Sequence, residues 1–148
     1  MNPALPAFDP PLWARRLGFA GLTPFVLGAA LVWLVEATLK PYVMLALAGY
    51  AATIASFLGG IHWGLAMRDG ANGKLFPYVW GVVPSLVAWM AIIMPPGAAL
   101  VVLGTLLLAC YGVDRHQYVN YQMQGWLGLR LRLTMVASLS CFLGASGM

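Results

Sequence analysis

Five long runs of apolar residues, almost free of charged side chains, constrain this chain more than any other feature of its sequence. An α-helix needs about 20 such residues to cross the hydrocarbon core of a bilayer. Of the 148 residues, 61% are hydrophobic and 8% are charged, whereas a soluble domain has about 25% charged residues. Too few polar groups remain to cover a water-facing surface. The sequence therefore predicts an all-α integral membrane protein, a bundle of about five transmembrane helices.

The apolar runs and the turns between them set the predicted boundaries. We place the spans at residues 17–35, 42–67, 76–94, 98–113 and 127–143, within one domain that covers residues 17–148. The first 16 residues, "MNPALPAFDPPLWARR", resemble neither a secretory signal peptide nor a mitochondrial transit peptide. We interpret residues 1–16 as a cytoplasmic tail.

The basic residues are distributed unevenly between the two ends of the predicted spans, with seven at one end and only Lys40 at the other. The seven are Arg15, Arg16, Arg68, Lys74, Arg115, Arg130 and Arg132. Because cytoplasmic loops carry an excess of Lys and Arg, we expect the N-terminus in the cytoplasm and the C-terminus outside a bacterial inner membrane. No basic stripe of the kind that binds nucleic acid occurs, so nucleic acid is not an expected partner.

Small residues recur at every fourth position of the second span. This row consists of Ala48, Ala52, Ser56, Gly60 and Gly64. A second row of small residues, Ala51, Ala55 and Gly59, lies beside it. Small residues at this spacing let another helix backbone approach closely. We therefore predict that the second helix is the packing centre of the bundle and that the first row is its contact face.

The same span contains "SFLGGIHWG", residues 56–64, with the one histidine inside an apolar run. A histidine that faces lipid is costly, so His62 should meet another helix or the polar interface. It precedes Arg68 by six residues, which places it about 9 Å deeper at about 1.5 Å per residue. The polar residues expected within its reach on the inner side are Asp69, Asp114, Arg115 and His116.

These observations predict one inward-facing polar site for a ligand or a partner. Its candidate residues are His62, Trp63, Arg68, Asp114, Arg115, His116 and Arg130. Arg130 and Thr134 are four residues apart and share a helix face. Such a site can bind an anionic headgroup, hold a quinone head, or dock a partner subunit. Alternatively, the charges pair with one another and extend to water.

Familiar catalytic and cofactor-binding patterns do not occur in the sequence. It has no HExxH, no GxSxG and no Gly-rich phosphate loop. Cys110 and Cys141 lie inside apolar runs without the spacing of a metal site. A single intramembrane histidine excludes paired-histidine haem ligation and leaves His62 with a methionine as the alternative pair of haem ligands. We predict no catalytic residue and no metal site, and the cofactor is unknown.

Three segments together resemble a known family over nearly the whole chain and in the same order. They are "LGFAGLTPF" (17–25), "SFLGGIHWG" (56–64) and "LRLRLT" (129–134). The family is a small membrane domain family of uncharacterised function, found in many proteobacteria, which includes a mitochondrial relative, transmembrane protein sixty-nine. The resemblance implies a small multi-span helical fold and supplies no catalytic residues.

The leading functional hypothesis is a small non-enzymatic accessory, assembly or stabilising protein that packs against other membrane components. Its expected partners are membrane lipid and either a larger membrane complex or a second copy of the chain. The alternative is a small transporter or channel, for which the sequence offers only a few hydroxyls deep in the spans. These are Thr53, Ser56, Ser85 and Thr105. An intramembrane enzyme is the third hypothesis.

Overall fold

The computed structural model describes residues 8–148 and is built, over that range, from α-helices joined by short turns, with no strand. The helices are α1 (Leu12–Ala20), α2 (Thr23–Leu34), α3 (Lys40–Arg68), α4 (Leu75–Ile93), α5 (Pro96–Asn120) and α6 (Leu127–Ala145). They provide five segments long and apolar enough to cross a membrane, the first formed by α1 and α2 together. The predicted all-α fold with five spans is therefore confirmed. Of the predicted tail, residues 1–7 lie outside the described residues, and residues 12–16 already belong to α1.

The first span is interrupted, which the sequence prediction of one helix over 17–35 did not include. Helix α1 ends at Ala20, and α2 begins at Thr23 with Pro24 in its first turn. Proline suits that position because the first helical residues have no intrahelical partner for an N–H group. The hydroxyl of Tyr50 donates a 2.8 Å hydrogen bond to the carbonyl oxygen of Gly21. A backbone carbonyl at the interruption thus gains a partner from α3.

The fourth span is longer than the predicted 98–113. Helix α5 continues to Asn120, so residues 114–120, which the predicted boundaries place between the fourth and fifth spans, are helical. Asp114, the first of these residues, is buried in the bundle and hydrogen-bonded to His62. Its polar side chain is therefore compatible with a helix at this position. The turn Gln124–Trp126 then leads directly into α6.

Helix α3 is the central element of the bundle and contacts α2, α4, α5 and α6. We predicted that one row of small residues forms its contact face, but only the first residues of that row are buried or half-buried. Ala48 is fully buried, and Ala52 and Ser56 are half-buried, but Gly60 and Gly64 are exposed. A methyl group added at either glycine would contact nothing. The prediction was therefore wrong for Gly60 and Gly64.

The neighbouring row of α3 makes the close contact instead. Ala51, Ala55 and Gly59 are all buried, and a Cβ atom at Gly59 would overlap the carbonyl oxygen of Gly81 in α4. The physical reason is the helical repeat, since a step of four residues advances about 400° and so drifts about 40° each time. Over four steps the predicted row turns about 160° away from its starting face. The buried face instead alternates steps of three and four residues.

Consecutive spans run in opposite directions, which sorts the charges to the two ends of the bundle. We call the charged end the one where α1, α4 and α6 begin and where α3 and α5 end. Every lysine and arginine of the described chain lies toward this end except Lys40. At the far end the ammonium group of Lys40 donates a 2.7 Å hydrogen bond to the carbonyl oxygen of Gly147. The assignment of the charged end to the cytoplasm stays a prediction.

Candidate functional site

A carboxylate, a guanidinium and an imidazole from three helices meet inside the bundle toward its charged end. Nε2 of His62 in α3 lies 2.8 Å from Oδ1 of Asp114 in α5. Nε and Nη2 of Arg130 in α6 donate hydrogen bonds of 2.9 and 2.7 Å to Oδ2 of the same carboxylate. The exposed fractions of the residues are 1% for His62, 1% for Asp114 and 7% for Arg130. We call these three residues the buried triad.

Each member of the triad continues the buried face of its own helix. The side chain four residues further along each helix is also buried: Ala66 on α3, Tyr118 on α5 and Thr134 on α6. Residues four apart share a helix face, so the packing that buries these neighbours also carries the polar side chains inward. The triad thus ties together three helices that pack against one another in the bundle.

The triad is balanced in charge when the imidazole is neutral. A buried carboxylate is very costly unless it is paired and hydrogen-bonded, and Arg130 supplies the opposite charge to Asp114. An ionised carboxylate only accepts hydrogen bonds, so Nε2 of His62 must carry the proton that it shares with Oδ1. The other ring nitrogen, Nδ1, is buried without a hydrogen-bond partner.

Of the seven candidate site residues, the structure brings together His62, Asp114 and Arg130. Arg115 and His116 lie on the exposed side of α5, where the ring of His116 contacts a backbone carbonyl oxygen of its own helix at 3.0 Å. They do not reach the triad because they follow Asp114 by one and two residues and so point to other sides of the helix.

Arg68 and Trp63 lie at the surface of the charged end and make local contacts. The guanidinium of Arg68 lies 5.6 Å from the ring centre of Tyr121, a cation–π contact. Nε1 of Trp63 donates a 2.8 Å hydrogen bond to the carbonyl oxygen of Tyr78. Burial and the nearby charge of Asp69 raise the pKa of Tyr121 above its ordinary value. Arg68 and Trp63 are exposed, and their contacts are separate from the buried triad.

A cavity of about 560 Å³ adjoins the triad on the side of Arg130. We call it the lateral cavity. Its apolar walls come from α1, α2, α3, α5 and α6 and include Leu17, Phe25, Ile54, Ile61, Leu107 and Leu133. Its polar lining consists of Tyr118, Arg130 and Thr134. His62 does not line the cavity, so it can act on an occupant only through Asp114.

Two buried hydroxyl groups of α6 have no hydrogen-bond partner, and one of them belongs to Thr134, which lines the cavity. Oγ1 of Thr134 and Oγ of Ser138 are both buried and unpaired, and Thr134 is only 3% exposed. Buried polar groups are nearly always hydrogen-bonded in proteins, so the unpaired hydroxyl of a residue that lines a cavity points to a polar partner at that wall. In the sequence, the four-residue spacing between Arg130 and Thr134 already indicated that the two share a helix face. Tyr118, which was not among the candidates, shares the same spacing with Asp114.

Three of the four hydroxyls named for a transport pathway are hydrogen-bonded within their own helices. Those of Thr53, Ser56 and Thr105 each donate to a backbone carbonyl of their own helix, over 2.7–3.0 Å. None of the three lines the lateral cavity. Because these groups are satisfied locally, they supply no polar wall for a passage through the bundle.

The five spans, the buried triad and the adjoining cavity define a multi-pass helical membrane protein. Residues 10–146 match the family described as proteins of unknown function, DUF3429, and the chain belongs to this family. It is 38% identical over 139 residues to Transmembrane protein 69 of Xenopus tropicalis. The alignment covers 89% of this chain and 53% of the relative, so the chain spans about half the length of that protein. No solved structure matches the chain.

Proposed function

We propose that this protein is a small non-enzymatic accessory protein that holds an amphiphilic molecule, a lipid or a quinone, in the lateral cavity. The observation that carries the proposal is the composition of that cavity, in which long apolar walls end at Tyr118, Arg130 and Thr134. Ligand sites in proteins are typically concave spaces of about 300–1,000 Å³ with mostly apolar walls and a few convergent polar groups. The lateral cavity, at about 560 Å³, fits this description.

The rim of the lateral cavity supports entry from the bilayer. Leu17 of α1 and Phe57 of α3 both line the cavity, yet they are 70% and 66% exposed. In a membrane these exposed apolar side chains face lipid, so a hydrocarbon tail can pass between them without meeting water. The polar head would then lie beside Arg130, close to the charged end.

The use of the triad supports a binding role over catalysis. Both oxygens of Asp114 are occupied by hydrogen bonds from other helices, and His62 does not line the cavity. A general base must reach the proton that it abstracts, which neither side chain does from its position behind Arg130. The triad therefore supports the cavity by fixing the guanidinium in place.

The basic residues of the charged end support an orientation in a bacterial inner membrane. Loops rich in Lys and Arg remain in the cytoplasm, so the charged end would face the cytoplasm of a bacterium. The head of the occupant would then lie in the inner leaflet of the inner membrane. An accessory or stabilising role toward other membrane components fits a protein that carries a bound lipid or quinone.

Native mass spectrometry of the full chain, purified in a mild detergent, tests this function. Ile54 and Ile61 of α3 both line the cavity and are half-buried, so the double variant Ile54→Trp, Ile61→Trp fills it. The control is Leu45→Trp, Met67→Trp, because these residues of α3 are exposed and lie outside the cavity.

We expect a lipid or quinone adduct on the original chain and on the control, and its loss from the cavity-filled variant. Circular dichroism shows whether each variant keeps its helices. Equal adducts on all three folded proteins, or no adduct on any of them, would overturn the proposed function.

A further inference from the structure

We propose that the occupant of the lateral cavity is a prenylated quinone, whose carbonyl oxygen accepts hydrogen bonds at Arg130 and Thr134. This inference rests on the proposed function, because it names the ligand of the same cavity. It concerns binding alone and includes no redox step. Three properties of the polar lining support it: the charge balance, the excess of donors and the neighbouring aromatic rings.

The charge of the polar lining favours an uncharged head. Arg130 is the only charged residue that lines the lateral cavity in the described chain, and its charge is already opposed by Asp114 at 2.7 Å. A phosphate placed there would add a negative charge with no compensating partner, in a site shielded from water. Burying an unpaired charge is strongly unfavourable. An anionic headgroup therefore fits this cavity poorly.

Anionic headgroups have a better place elsewhere at the charged end. Arg15 and Arg132 both line a second, smaller pocket of about 180 Å³, and both are exposed. Neither of them lines the lateral cavity. The arginines free to meet a phosphate are thus separate from the guanidinium that lines the lateral cavity.

The hydrogen-bonding groups of the polar lining favour an acceptor. Two of the five N–H groups of an arginine are used by Asp114, and the remaining N–H groups of Arg130 can only donate. The hydroxyl of Thr134 is buried and unpaired. A quinone carbonyl oxygen accepts and does not donate, so it complements both groups.

Aromatic side chains complete the fit at the same end of the cavity. Tyr118 and Trp126 both line it, and aromatic rings associate through stacked or edge-to-face contacts. A flat quinone ring can make such contacts, while its isoprenoid tail occupies the space bounded by the apolar walls. A diacylglycerol head is also uncharged, but it has no ring, so the aromatic lining favours the quinone.

The test is a titration of the full-length protein with decylubiquinone, in detergent free of endogenous quinone. Because a bound quinone quenches nearby tryptophan fluorescence, Trp126 serves as the reporter. We expect saturable quenching that falls strongly in Trp126→Phe and persists in Trp33→Phe. Trp33 is a matched control because it lies on α2 at the far end and does not line the cavity.

The donor assigned to Thr134 is tested by Thr134→Val, which keeps the shape of the side chain and removes the hydroxyl. Loss of one hydrogen bond should weaken decylubiquinone binding about 3- to 10-fold. Thr105→Val should leave the affinity unchanged, because its hydroxyl bonds its own helix outside the cavity. Equal affinities in both variants would overturn the assignment of the carbonyl to Thr134.

Competition distinguishes this inference from the proposed function. Short-chain phosphatidylglycerol and short-chain diacylglycerol should each fail to displace decylubiquinone. Saturable binding of either lipid without binding of decylubiquinone would overturn the quinone and leave the proposed function standing. Quenching that rises linearly, and equally in the original chain and in Trp126→Phe, would show that decylubiquinone only partitions into detergent. That result would overturn the assignment of a quinone to the cavity. The adducts in native mass spectra decide the proposed function separately.

Discussion

Asp114 organises the polar interior of the bundle. Among the acids of the described chain it alone is buried, and it accepts hydrogen bonds from α3 and α6. Its two oxygens have different partners, with His62 on Oδ1 and Arg130 on Oδ2. Removing the carboxylate charge would therefore affect two contacts at once and leave the Arg130 charge buried without its counter-ion.

The variant Asp114→Asn tests the first consequence. An asparagine has nearly the same size, so packing is preserved while the charge of Arg130 loses its partner. Removing one partner of a buried ion pair typically costs about 3–5 kcal/mol, and we expect a loss of that order in the free energy of unfolding in detergent. Asp69→Asn, at an exposed position, should change it by less than about 0.5 kcal/mol. Similar stabilities of the two variants would contradict the account.

The variant His62→Leu should have a smaller effect. It removes one hydrogen bond to a charged group, worth about 1.5–3 kcal/mol, while both bonds from Arg130 to Asp114 persist. We expect the protein to insert and fold with reduced thermal stability, and with a smaller loss than Asp114→Asn. His116→Leu is the matched control at an exposed position. A larger loss for His62→Leu than for Asp114→Asn would show that the imidazole, not the guanidinium, is the main partner.

The sequence could place His62, Asp114 and Arg130 at similar depth, but it could not select them from the larger set. Asp69 follows Arg68 directly and was expected within reach of His62, yet it comes after the last turn of α3 and is exposed. The predicted end of the fourth span at residue 113 placed Asp114 in a loop. Its burial depends on the continuation of α5 to Asn120, which apolar periodicity does not reveal.

At the scale of elements, the crossing of α3 and α4 depends on two glycines. The backbones approach so closely that a Cβ at Gly59 would overlap the carbonyl oxygen of Gly81, and one at Gly81 would overlap the ring of Trp63. Small residues permit such approaches between membrane helices. Gly60, one residue further along α3, has open space around it, although its position in the sequence is equally suggestive.

The matched pair Gly59→Ala and Gly60→Ala tests this crossing. A methyl group at Gly59 meets backbone, which cannot move as a side chain does, so we expect a loss of about 1–3 kcal/mol in the free energy of unfolding. Gly60→Ala should be neutral or stabilising by up to about 1 kcal/mol, because alanine favours the helix. Thermal unfolding in detergent compares the two. The reverse order would show that the predicted row, not its neighbour, is the contact face.

The interruption between α1 and α2 is a helix boundary that the sequence alone does not predict. The segment "LGFAGLTPF" reads as one apolar run, and Pro24 alone is compatible with the start of a helix or with a kink in one. In the structure α1 ends at Ala20, and the carbonyl oxygen of Gly21 accepts a hydrogen bond from Tyr50, 29 residues away. That contact requires the packing of α3, which no local pattern contains.

At the scale of the whole molecule, the alternating direction of the spans gathers the ends of α3 and α5 with the starts of α4 and α6. The loop regions 68–76 and 114–126 therefore belong to the same end of the bundle. The sequence could predict this arrangement because it follows from the number of spans and from the separation of Lys40 from the other basic residues. It could not predict the lateral cavity, which forms where five helices fail to fill the space between them.

Reporter fusions after residues 72 and 122 test this arrangement in living cells. We expect both to report the cytoplasm, because the positive-inside rule assigns the charged end to that side. A fusion after residue 37, between α2 and α3, should report the opposite side. Fusions after 72 and 122 on opposite sides would overturn the five-span topology, and both outside would overturn the orientation.

A double-mutant cycle between Asp114 and Arg130 tests the central claim most directly. The claim is that these two side chains, 16 residues apart in the chain, form a buried ion pair that holds the guanidinium against the lateral cavity. Asp114→Leu and Arg130→Leu should each lower the free energy of unfolding by about 3–5 kcal/mol. The double variant should recover part of the loss, with a coupling energy above about 1.5 kcal/mol, because no charge is then left unpaired. Losses that add to within about 0.5 kcal/mol would contradict the pairing and the site built on it.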